Sequence, residues 1–325
     1  MLGLIIGTGS IGQRHIRNIR KLVPESRFIF LRKGGRQDEL SASINAEVTD
    51  NLDHALGSKP DYAVIATPSA LHTDVLIPLI DAHLPFYIEK PVATRREDVN
   101  AIRFRLKSSS FKSPTLVGCN LRFLPALQKA RALLNDGSLG TVLRAGFTAG
   151  QWLPDWRPQQ DYKNGYSSNR EMGGGVVFDL IHEIDMVRWW FGEFERIGSV
   201  LGNFSSLGIE TEDTAAIVMG KNEGPPAVTI QLDYISRKPV RRYEVVGELG
   251  SLVFDLQEKT LMQITKDGSE AVNCGADGFD VSKTYELAMR EFFEAIKAGA
   301  ATSQNILDGL DSVELALNVY ERTIQ

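Results

Sequence analysis

Short unbroken apolar runs alternate with amphipathic stretches through the first third of the chain. The runs at 2–6, 27–31, 62–66, 86–88 and 115–118 have the length and continuity of strands buried on both faces. Between them, 13–22 carries Ile16, Ile19 and Leu22 at helical spacing behind Ile11, and 71–82 and 97–106 are amphipathic in the same way. Strand and helix in alternation predict a doubly wound parallel sheet with right-handed crossovers. Past residue 120 the pattern changes. A helix is predicted over 125–135, a strand over 142–150, a long polar, aromatic-rich loop over 151–175 and one helix over 176–191. From 196 to 264 apolar and polar residues alternate, most plainly at 229–234, 243–246 and 251–254. That alternation predicts an open, mostly antiparallel sheet covered by helices on one face. Two further helices are predicted near 281–297 and 305–321. The fold class is thus α/β, with a doubly wound domain over 1–119 and an α+β domain over 120–325.

The first run opens directly into Gly7-Thr8-Gly9-Ser10-Ile11-Gly12 and then a helix. Glycines there allow a tight turn and close approach of backbone to a pyrophosphate, and a helix N-terminus directs free N–H groups and the positive end of its dipole at an anion. Strand, glycines and helix in this order mark a dinucleotide site built by Gly7, Thr8, Gly9, Ser10, Ile11 and Gly12. Arg14 and His15, just past the glycines, read as solvated groups on the helix face. A site for NAD shows an acid at the end of the second strand, where it accepts from the ribose 2′-hydroxyl. Here the strand runs into Arg32, Lys33 and Arg36 with no acid among them. Guanidinium groups suit a 2′-phosphate, so NADP is expected in preference to NAD; the rival is a solvated basic turn.

Bulk properties narrow the class without naming it. A length of 325 residues exceeds what one core usually serves, while 43% hydrophobic and 24% charged content are those of an ordinary globular chain. The net charge of -5 provides no electrostatic footprint for nucleic acid or an anionic membrane. Apolar stretches fall short of a membrane span, and the N-terminal run is too short, and lacks the charged leader, for a signal peptide. Cys119 and Cys274 offer neither a disulfide framework nor a metal cluster. A cytoplasmic location and no metal are expected.

Chemistry enters at the strand ends. Ala66-Thr67-Pro68-Ser69, with His72 shortly after, closes one strand and Glu89-Lys90-Pro91 closes the next, both at the carboxyl edge where this fold binds ligands. Thr67, Pro68, His72, Glu89 and Lys90 are therefore expected to line the cofactor cleft. With Asn120-x-Arg122-Phe123 and Gly173-Gly174-Gly175…Asp179-x-x-His182-x-x-Asp185, these motifs follow in one order. The chain resembles the glucose–fructose oxidoreductase/inositol dehydrogenase/rhizopine-catabolism (Gfo/Idh/MocA) family over essentially its whole length. The resemblance implies a Rossmann domain, NAD(P) as cofactor, and hydride transfer to or from a secondary alcohol or ketone of a sugar or polyol. It implies that Lys90 handles the proton of the reacting hydroxyl, that His182 shares or replaces that role, and that Asp179 orients and charges the pair. Many members place the acid four residues before the histidine, whereas here the two are three apart; both spacings share a helical face. Asp185 is the alternative support for His182. Asn120 and Arg122 are expected at the substrate.

The stretch Trp152-Leu153-Pro154-Asp155-Trp156-Arg157-Pro158, continuing to Tyr162 and Tyr166-Ser167, is long for a connection and rich in aromatics. Trp152, Trp156 and Tyr162 could stack on a sugar and Arg157 could hold a carboxylate or phosphate, with packing on the sheet or on a neighbouring subunit as the rival. Arg237, Lys238, Arg241 and Arg242 form a cation cluster that reads mainly as solvated. The loop and the His182-Glu183-Ile184-Asp185 form resemble a branch associated with bacterial surface-sugar biosynthesis. Two other functions fit the same fold: an NAD-dependent glycosidase working by transient oxidation, and a non-catalytic NADP-sensing protein. Strands such as 245–246 and 252–254 offer apolar groups to both faces, so a homodimer or homotetramer through the C-terminal sheet is expected.

Overall fold

The computed structural model describes residues 1–156 and 158–323. The chain forms two compact units, Met1–Asn120 with Thr284–Asp311, and Leu121–Lys283 with Ser312–Gln325. In the first unit β1 (Leu2–Ile6), β2 (Arg27–Leu31), β3 (Glu47–Thr49), β4 (Tyr62–Ile65), β5 (Phe86–Ile88) and β6 (Thr115–Val117) form one sheet in the order β3-β2-β1-β4-β5-β6. All its pairings are parallel. Ile5, Val64, Ile65 and Ile88 are completely buried, as the unbroken apolar runs require. Strand order reverses between β1 and β4, which opens the ligand crevice beyond the carboxyl ends of those two strands.

Residues 284–311 complete this unit and not its successor. Asn120 Nδ2 donates to Thr284 Oγ1 at 2.6 Å, and the Phe292 and Phe293 rings meet Tyr62 with centroids 6.3 and 5.0 Å apart.

Among the described residues the second unit holds eight strands: β7 (Val142–Gly150), β8 (Arg196–Gly202), β9 (Thr214–Gly220), β10 (Ala227–Asp233), β11 (Val240–Gly247), β12 (Gly250–Asp255), β13 (Thr260–Thr265) and β14 (Gly268–Ala271). They lie in the order β14-β13-β12-β11-β7-β10-β9-β8, antiparallel throughout except for the parallel pair β7–β10. Period-two burial is clear on β10, where Val228, Ile230 and Leu232 face the core and Thr229 and Gln231 are exposed. Helices Pro125–Asn135, Val176–Asp179 and Ile181–Phe191 pack on the inner face. The outer face keeps exposed apolar groups, among them Val200 on β8, Val218 on β9 and Ile264 on β13.

Two elements depart from expectation. The single helix over 176–191 is two helices, because Leu180 adopts φ -99° and ψ 32° between them. Within 151–175 lie a short helix, Leu153–Trp156, and a 3-10 turn, Tyr162–Asn164. No helix among the described residues is long and apolar enough to cross a membrane. Among those residues no group of three or more His, Cys, Asp or Glu side chains is arranged to hold a metal ion.

Candidate active site

The turn after β1 is built around the absence of side chains. A Cβ on Gly12 would stand 2.2 Å from the Gly7 carbonyl oxygen, so the helix could not seat this close to the strand with any other residue. Gly9 caps the helix Ser10–Leu22 without a side-chain hydrogen bond, the first turn holds no acid, and a Cβ on Gly9 would meet only open space. The helix therefore presents N–H groups without side-chain partners at a clear approach, which suits a pyrophosphate. On the neighbouring turn, Thr67 Oγ1 is buried with no partner among the described residues, a polar atom awaiting one. These residues fit a dinucleotide.

Arg32 follows β2 and reaches back to this turn, its guanidinium 3.4 Å from Thr8 Oγ1. The expectation of a site without an acid needs correction. Asp38 folds back onto Arg32, which also donates to the Arg36 carbonyl, and this contact together with hydrogen bonds from Ser41 holds the Asp38 carboxyl well below the usual carboxylate range. Lys33 and Arg36 are exposed.

At the carboxyl edge beyond β4 and β5, two turns are joined by a buried histidine. His72 is 0% exposed; Nε2 lies 3.0 Å from the Thr67 carbonyl and Nδ1 3.2 Å from the Val92 carbonyl. Burial lowers its pKa against the opposing pull of those carbonyls and of Glu89, so a neutral ring donates to one carbonyl at a time. His72 thus braces the Thr67-Pro68 turn against the turn that carries Lys90, its ring closed off from solvent. Lys90 itself is half-buried, next to Glu89. His15 is not the solvated group expected from sequence: it is completely buried and bonded to Glu89.

In the second unit Asp179 ends the helix Val176–Asp179 and accepts from Ser167 Oγ at 2.6 Å and from the Tyr234 hydroxyl at 3.1 Å. Sequence reasoning named neither of these partners, because Ser167 and Tyr234 are 12 and 55 residues away. His182 lies half-buried on the helix Ile181–Phe191. The break at Leu180 means that Asp179 and His182 do not share one continuous helical face. Asp185 is committed elsewhere: Arg122 donates to both its oxygens, at 2.8 and 2.7 Å, and Ser312 Oγ donates at 2.8 Å. Arg122 and Asp185 are 5% and 1% exposed, so this buried pair is structural and the Arg122 guanidinium is spent inside the protein. Asn120 is likewise buried against Thr284.

The aromatic stretch closes over this end of β10. Trp156 Nε1 donates to the Gln151 carbonyl while its ring stands edge-on to Tyr234, centroids 5.3 Å apart. The Tyr162 hydroxyl donates to the Leu207 carbonyl, and the Arg237 guanidinium lies 3.7 Å over the Trp152 ring. Arg157 lies outside the described residues.

The comparisons with known proteins agree with this architecture. The profile of the oxidoreductase family with an NAD-binding Rossmann fold matches residues 2–110, and that of the GFO/IDH/MocA C-terminal domain matches residues 127–253. The chain belongs to the Gfo/Idh/MocA family and is an NAD(P)-dependent oxidoreductase acting on CH–OH groups. It is 24% identical to levoglucosan dehydrogenase of Pseudarthrobacter phenanthrenivorans over 297 residues, covering 77% of this chain and 75% of that protein. It is also 24% identical to inositol 2-dehydrogenase of Rhizobium meliloti over 322 residues, 96% of this chain and 93% of that one. A solved levoglucosan dehydrogenase in complex with NADH and levoglucosan has the same fold, with a TM-score of 0.84 and 20% identity, over 99% of this chain and 96% of that chain.

Proposed function

We propose that this protein moves a hydride between a nicotinamide dinucleotide, NADP(H) in preference to NAD(H), and a secondary alcohol or ketone of a sugar, polyol or sugar derivative. The observation that carries the reading is the pairing, on one sheet edge, of an open glycine turn at a helix N-terminus with a lysine on a braced turn. Gly7 to Gly12 would hold the pyrophosphate, with Thr67 and Pro68 beside it. When bound, the nicotinamide supplies the two-electron chemistry. Lys90 takes up the hydroxyl proton in the oxidising direction and returns it in the reducing one. His182 shares proton handling, and Asp179, held by Ser167 and Tyr234, orients and charges the pair.

A thermal-shift panel of cofactors, then polyols, sugars and the sugar nucleotides of surface-sugar biosynthesis, identifies the substrate. With that substrate, Lys90→Met is expected to lower kcat by about 10²–10⁴-fold while cofactor affinity stays within several-fold, and His182→Ala to act in the same sense. Near-parental rates in both variants would overturn the assignment. Turnover with no net gain of reduced cofactor would point instead to hydrolysis through transient oxidation.

Arg32, Lys33 and Arg36 at the end of β2 support the NADP preference against the opposing charge of Asp38 on Arg32, since a charge-assisted contact to a 2′-phosphate contributes about 1.5–3 kcal/mol. Calorimetry is expected to show NADP(H) bound at least about tenfold more tightly than NAD(H), with the difference reduced in Arg32→Ala. Equal or tighter NAD(H) binding, unaltered by that substitution, refutes it. The open outer face of the second unit's sheet supports a further proposal, self-association into a dimer or tetramer through that face.

A further inference from the structure

The buried face of the helix Ser10–Leu22 carries a histidine where an apolar residue would pack as well. His15 is 0% exposed, and its Nε2 lies 2.7 Å from Glu89 Oε1. A carboxylate only accepts, so Nε2 carries the hydrogen and donates. The ring rests on Tyr87 with centroids 4.7 Å apart, and Nδ1 meets no partner among the described residues. A buried nitrogen left unmet costs free energy, so packing does not account for a histidine here, whereas the bond to Glu89 does. The Glu89 carboxyl also lies close over Gly118. A Cβ at 118, just past β6, would stand 3.0 Å from both carboxylate oxygens, so a side chain there would crowd the carboxyl out of this position.

The two ends of this bond lie at meaningful places. His15 is under two helical turns from Gly9, where the helix starts at the pyrophosphate turn; Glu89 is the residue before Lys90. His72 already braces the Lys90 turn from the β4 side through the Val92 carbonyl. We propose that His15 is a positioning residue which, through Glu89, fixes the Lys90 turn relative to the helix that receives the cofactor. The proposal rests on Lys90 being the residue that handles the proton. Misplacement of a reacting group by about 1 Å can cost on the order of 10²-fold in rate, so a hydrogen bond remote from the substrate can govern kcat.

The test uses the full-length protein with the substrate found in the panel. His15→Leu keeps the ring's bulk and removes the donor; His15→Gln keeps an N–H near the Nε2 position. The expected result for His15→Leu is a kcat lower by roughly 10- to 100-fold at saturating ligands. Substrate KM and the calorimetric Kd of the cofactor stay within about threefold, and His15→Gln recovers most of the rate. Adding His15→Leu to Glu89→Ala should cost nothing beyond Glu89→Ala alone, since the two act through one bond. A folded His15→Leu with parental kcat overturns the proposal. So does a loss tracking cofactor Kd, or His15→Gln impaired as severely as His15→Leu. If His15→Leu does not fold, His15→Ala takes its place: it must lose kcat with cofactor Kd retained. Lys90→Met separates the two readings. If it keeps its rate, the assignment of Lys90 has failed; if it is inactive while His15→Leu and Glu89→Ala are not impaired, only the positioning role has failed.

Discussion

Glu212, 6% exposed, accepts from the Tyr320 hydroxyl at 2.7 Å and from the Val177 N–H at 3.2 Å. Burial pushes its carboxyl above the ordinary value of 4.5, against the pull of those donors. A carboxyl raised in the folded state stabilises the fold in its neutral form. That contribution is complete below the ordinary value and is lost as pH rises through the folded one. Gln at 212 keeps both acceptor contacts and cannot ionise. The melting temperature of Glu212→Gln relative to the parent is therefore expected to rise as pH is taken from about 4 to 8, by a few degrees if the effect is of order 1 kcal/mol. A gap that is constant or narrows with pH, measured by calorimetric melting, would contradict this account. The same scale explains the fate of Arg122 and Asp185. The motifs put Arg122 at the substrate and Asp185 beside His182; as a bidentate pair 63 residues apart the two are occupied with each other, and nothing local in the chain announces such a partnership.

Elements buried on both sides were the ones most legible in the sequence. β1, β4 and β5 are unbroken apolar runs because neither face meets water, and the strands of the second unit alternate because one face does. β3 was missed: Glu47–Thr49 is three residues long and begins on an exposed glutamate, so it carries no run to read. The break at Leu180 was missed because apolar periodicity continues across it. His15 left a signal that went unused. It stands four residues after Ile11 and four before Ile19, on the buried stripe, but its polar type suggested solvent and its partner lies 74 residues away. Asp38 was hidden by the turn before it, where Gly34 and Gly35 take φ of 80° and 56° and bring the chain back onto Arg32. Glycine turn, lysine turn and histidine block were legible in the candidate site; the buried bonds that support them depend on distant segments and were not.

For the molecule as a whole, the second unit's sheet leaves Val200, Val218 and Ile264 exposed by 45%, 58% and 41% on its outer face. Such a face favours association, and light scattering at micromolar concentration is expected to report a dimer or tetramer, with Val218→Arg shifting it toward smaller species. A stable particle at the 35.9 kDa mass of one chain would refute the proposed interface.

The return of Thr284–Asp311 to the first unit bears on how the protein is made. During synthesis residues 1–120 leave the ribosome first, yet the Phe292 and Phe293 side chains that cover Tyr62 and Tyr87 arrive only after the entire eight-stranded sheet has been translated. Domains ordinarily fold in order of emergence. Here the dinucleotide unit, although begun first, is finished only after its successor's sheet, so two large aromatic rings, Tyr62 and Tyr87, lack their cover until then. A fragment cut at residue 120 is accordingly a poor stand-in for a cofactor domain, whatever its sequence match suggests.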